Sequence, residues 1–179
     1  MKQAKQISFC GVLIALALAL SYTERFIPLQ LLIPLPGIKL GLANVVTLVA
    51  LYMLRGRYAA AILLCRCFLG AVFGGGFTAL MFSLCGGALA LTAMLLSQRS
   101  GLFSVFGVSV LGAAAHNIGQ ILAAMVLMNS LYILAYLPYL LLVSIFTGVL
   151  TGGLCAGVLR ILPKVGIRLP AGMGKEEKQ

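Results

Sequence analysis

The chain contains no aspartate and no tryptophan, a single histidine, and three acidic residues in all, Glu24, Glu176 and Glu177. Without aspartate there is no D-D-x-x-D pair to hold magnesium against a diphosphate, and a Ser-His-Asp triad cannot be built. Glu24 is far in sequence from His116, and no G-x-x-x-x-G-K-[ST] loop is present to cradle ATP. Catalysis of prenyl transfer or of ATP hydrolysis by this chain alone is therefore not expected. Hard and borderline metal ligands are too few for a structural metal, so neither metal nor cofactor is expected. The five cysteines, Cys10, Cys65, Cys67, Cys85 and Cys155, form no C-x-x-C pair and read as small apolar packing residues in a reduced setting.

What is abundant is apolar surface. Hydrophobic residues make up 62% of 179, charged residues only 9%, and the mean hydropathy is +1.13, too apolar for a water-soluble globule of this length. Apolar runs of about 17 to 25 residues match a hydrocarbon core roughly 30 Å thick, and backbone groups in lipid must be satisfied within helices. The expected fold is an all-α membrane bundle with six spans at 7–23, 39–54, 58–74, 78–97, 102–128 and 132–160, followed by a basic tail at 164–179. Lys2 and Lys5 before the first run resemble a signal peptide, but no A-x-A-type cleavage site follows, so a retained helix is expected. The breaks are "ERFIPLQLLIPLPG", "RGR", "GGG", "SQRSG" and "MNS", all turn-prone or charged.

Basic residues resist translocation, which orients the bundle. With the N-terminus inside, Lys2, Lys5, Arg55, Arg57, Arg99, Arg160, Lys164, Arg168, Lys175 and Lys178 all face the cytoplasm, leaving Arg25 and Lys39 outside and Arg66 within a span. Both termini are expected inside. Topology and anionic lipid then account for the net charge of +10, and no nucleic-acid partner is expected.

Few polar groups interrupt the spans. Arg66, in "AAAILLCRCFLGAVFGGG", is costly in hydrocarbon unless it faces a cavity or ties helices together through acceptors. In "GAAAHNIGQILAAM", His116 and Gln120 share a helix face with Asn117 adjacent, a set suited either to a ligand or to interhelical hydrogen bonds. Asn44 caps locally or faces the same interior, and Lys39 snorkels or meets a ligand after the proline loop. Convergence of Arg25, Lys39, Arg66 and His116 around the lone Glu24 would give a pocket favouring an anionic or hydrogen-bond-accepting small molecule. Ala15 and Ala19, four apart in the first span, form a small-x-x-x-small face able to dock a helix, within this bundle or on a partner.

The stretches "PLPGIKLGLANVVTLVALY", "FSLCGGALALTAM" and "GAAAHNIGQILAA" resemble the bacterial membrane proteins grouped as Gx transporters, also labelled heptaprenyl diphosphate synthase component I. That group in turn resembles the substrate-binding S components of energy-coupling factor importers. The resemblance implies a six-helix protein of the bacterial cytoplasmic membrane that captures a small micronutrient under a lid at 24–38. It implies a coupling subunit and two ATPases as partners, with Ala15 and Ala19 facing the coupling subunit. The other label implies instead a non-catalytic membrane component of a two-part prenyl diphosphate synthase.

Overall fold

The structure, a computed structural model, describes residues 3–26 and 41–162, and the side chains of 3–5 and 25 are not among those described. The described residues are all helical or connecting, with no strand among them. Six α-helices follow one another: α1 (Gln3–Thr23), α2 (Asn44–Met53), α3 (Gly56–Gly70), α4 (Gly76–Ser100), α5 (Val105–Met128) and α6 (Leu137–Ile161). A short 3-10 turn, Glu24–Phe26, follows α1, and another, Leu131–Tyr136, leads into α6.

Local chemistry sets the ends. Between α3 and α4 the segment Ala71–Gly75 leaves helical geometry at Phe73 and Gly74, with Gly74 at φ 97° and Gly76 at φ 68°. Only glycine adopts such angles without strain, so the glycine run folds an otherwise continuous 45-residue apolar segment back on itself. At the start of α5 the Ser104 side chain accepts a hydrogen bond from the N–H of Gly107, an ordinary N-cap. At its end Asn129 takes the left-handed conformation, the C-terminal geometry asparagine tolerates best after glycine.

Side-chain neighbours fix the directions. A Cβ built on Gly56 would stand 2.8 Å from Leu95, and one on Gly87 would stand 2.5 Å from Leu63, so α3 and α4 run antiparallel. Gly112 against Met94 and Gly119 against Cys85 make α4 and α5 antiparallel, and Gly148 against Val110 with Gly152 against Phe106 do the same for α5 and α6. The Tyr58 hydroxyl donates to Oε1 of Gln6 while Gly70 faces Leu18, so α1 and α3 run parallel. The chain thus passes up and down by turns, bringing the start of α1 and the end of α6 to one end of the bundle. Arg55, Arg57, Arg99 and Arg160 occupy that same end.

Helix α2 sits at the centre. All ten of its residues are buried, and it contacts each of the other five helices. A helix apolar on every side can be satisfied only when surrounded. The other helices turn large apolar side chains outward, among them Val12, Phe68, Phe77, Leu122, Val126, Leu142 and Phe146. An exposed apolar belt of this kind faces lipid rather than water. Four segments, Gln6–Thr23, Gly56–Ser100, Val105–Met128 and Leu131–Ile161, are long and apolar enough to cross a membrane, and α2, about 15 Å long, is not.

Candidate functional site

Because α2 is short, its N-terminus opens at mid-depth, and the polar side chains of the neighbouring helices gather there. Asn44 is its first residue, and Arg66 lies about 15 Å along α3 from Gly56. The Arg66 Nη2 donates to Oδ1 of Asn44 at 2.9 Å, a buried contact between α3 and α2. Arg66 is only 6% exposed, and its Nε has no hydrogen-bond partner among the described residues. The Glu24 carboxylate, buried at the end of α1, accepts the N–H of Leu42 and stands near enough for its charge to act on the guanidinium. Its negative charge also sits at the positive end of α2, where the helix dipole favours it.

His116 approaches from α5. A Cβ on Gly41 would lie 2.8 Å from Nδ2 of Asn44 and 3.0 Å from Cδ2 of His116, so both side chains converge on this residue. Gly41, at φ 81°, is the turn that lets the chain enter α2 there. On the opposite edge of the imidazole, Gly86 of α4 is so close that a Cβ would meet Cε1 and Nδ1 at 2.9 Å. Two glycines therefore form the slot that admits His116.

The remaining expected residues are placed as follows. Gln120 is fully buried one turn beyond His116 on the same face of α5. Asn117 points elsewhere, its Nδ2 donating to the Leu140 carbonyl of α6 at 2.9 Å, which is an interhelical bond. Ala15 and Ala19 are exposed on α1, the least buried of the long helices. Lys39 and nearly all of the lid expected at 24–38 lie outside the described residues, as does the side chain of Arg25.

A cavity of about 330 Å³ reaches this cluster. Leu18, Ala19 and Tyr22 of α1 form one wall, Ala79 and Ser83 of α4 the other, and Arg66 with Cys67 and Gly70 of α3 the floor. Phe73 stands at the mouth, 68% exposed. Among the described residues no α-carbon of α1 comes within 8 Å of one of α4, and the cavity lies between the two. The sequence reading missed Ser83 and Gly41. For Ser83 the available signal was its spacing of three and four residues from Gly86 and Gly87, which places them on one face of α4.

Among the described residues no group of three His, Cys, Asp or Glu side chains is placed to hold a metal, and all five cysteines are free thiols. The site is thus one cationic fork with amide, hydroxyl and imidazole neighbours in an apolar surround. Fold and site together define a multi-pass helical membrane protein. The family model described as heptaprenyl diphosphate synthase component I matches residues 13–158 of the chain, which belongs to that family. No curated protein and no solved structure gives a significant match.

Proposed function

We propose that this chain is the membrane component of a heptaprenyl diphosphate synthase, supporting a separate catalytic subunit that brings the acidic magnesium motifs. The observation carrying this reading is the family match over 13–158 in a chain without aspartate. Such a component supplies a bilayer address and apolar surface to an enzyme whose product is a long isoprenoid. In this account the four long apolar segments lie in the bacterial cytoplasmic membrane, with the short α2 enclosed among them. Arg55, Arg57, Arg99 and Arg160 at one end of the bundle support a cytoplasmic placement of that end by the resistance of basic residues to translocation.

A second reading is favoured by the cavity and by the exposed Ala15 and Ala19. In it the chain is the substrate-binding subunit of an importer, partnered by a coupling subunit and two ATPases. Glu24, Asn44, Arg66, His116 and Gln120, with Arg25 and Lys39, would then serve a small anionic micronutrient, while Asn117 ties α5 to α6. Purification of the tagged chain from its host in mild detergent, followed by mass spectrometry, separates the two. The synthase account expects a soluble subunit bearing D-D-x-x-D. Recovery of a coupling subunit with two ATPases would replace it.

A further inference from the structure

The cavity beside Arg66 has a direction that neither reading requires. A buried guanidinium lines it at mid-depth, its walls belong to two helices whose backbones stand apart, and an exposed aromatic, Phe73, lines it as well. The ligand this shape accepts has an acidic end that goes in and an apolar body that stays between the helices. We propose that the gap between α1 and α4 binds an amphiphilic acid, a single phosphate or carboxylate head on an apolar body, entering from the side of the bundle.

Charge and polarity decide the head. Arg66 is always protonated, and its planar fork matches a phosphate or carboxylate oxygen pair. The hydrogen bond to Asn44 uses one of its five N–H groups, and its buried Nε has no partner among the described residues, an arrangement normally completed by an acceptor. Ser83, buried on α4, lines the same cavity and adds a hydroxyl. Glu24 already offsets part of the guanidinium charge, which favours a single phosphate or carboxylate over a more highly charged diphosphate.

The apolar body has a defined path. Leu18, Ala19, Tyr22, Ala71, Phe73 and Ala79 present hydrocarbon and ring surface around the gap. Ala15 and Gly11 continue from Ala19 along the same face of α1 at four-residue spacing, both exposed, and a Cβ on Gly11 would meet nothing within 4 Å. A volume of about 330 Å³ is at the lower end of small-molecule sites, so the head and the first part of a chain are enclosed while the rest lies along α1.

The test uses the full chain in nanodiscs of neutral lipid, with farnesyl phosphate and dodecanoate as probes. Expected is saturable binding of one equivalent of at least one acid, with farnesol and inorganic phosphate competing at least tenfold more weakly. An acid preferred tenfold over the other identifies the source, an isoprenoid phosphate or a fatty acid. Ala79→Phe, which adds a ring to the cavity wall and leaves the guanidinium in place, should weaken binding at least tenfold with unchanged thermal unfolding. Arg66→Lys, which keeps the charge but loses the fork, should do the same and serves if the first variant is unstable. Binding of neither acid, equal competition by farnesol, equal displacement by phosphatidylglycerol, or wild-type affinity in both variants would each overturn the proposal. The result is independent of which partner subunit the chain recruits, so this site and the synthase reading fail separately.

Discussion

Arg66 and Asn44, twenty-two residues apart in sequence, meet at 2.9 Å between α3 and α2, where the guanidinium has a neutral amide as its hydrogen-bond acceptor. The contact matters because a buried arginine is tolerated in a membrane bundle only where acceptors meet it. It also sets the position of the cavity floor, since the side chain held by Asn44 is the one that lines the gap between α1 and α4.

Removing that acceptor is the most direct test of the cluster. Asn44→Ala should destabilise the detergent-solubilised protein by about 2 kcal/mol, because a hydrogen bond to a charged group is lost and the charge stays buried. Reversible unfolding in a denaturing detergent gives the value. A change below about 0.5 kcal/mol would mean that Arg66 is solvated by other means.

Close helix approach makes a second prediction, with its own control. A Cβ at Gly119 would lie 2.5 Å from the Cys85 carbonyl oxygen and 2.7 Å from Cα of Gly86, backbone atoms that cannot swing away. Gly119→Ala should therefore cost about 1–3 kcal/mol by forcing α4 and α5 apart and widening the slot around His116. Gly157→Ala, where a Cβ meets nothing within 4 Å, should be neutral or slightly stabilising. Equal melting temperatures for the two variants would contradict the packing.

The membrane-type, all-helical character was legible in composition alone, because so apolar a chain has few folded alternatives. The break at the three glycines was legible too, since left-handed backbone angles are a local property of glycine. Contacts between distant residues were not. Nothing in "LGLANVV" or "LCRCF" announces that Asn44 accepts from Arg66, and nothing in "AHNIGQ" says that Asn117 turns to Leu140 of α6 while His116 turns to Gly41. Helical periodicity gives a face, and only packing says which neighbour that face meets.

Orientation can be read by chemical labelling in a background without native cysteines. Tyr132, 91% exposed just before α6, lies at the end of the bundle opposite Arg57. In whole cells stripped of their outer barriers, an impermeant maleimide should label Tyr132→Cys and spare Arg57→Cys until the membrane is opened. The reverse pattern would invert the assigned topology.

The central claim is that the chain assists a prenyl diphosphate synthase without performing the chemistry. The measurement that tests it most directly is prenyl transfer by the separately purified catalytic subunit, assayed in vesicles with and without this chain. The account predicts no product from this chain alone, and a tenfold or larger rise in long-chain product when both are present. Identical product yield and chain length with and without it would contradict the account.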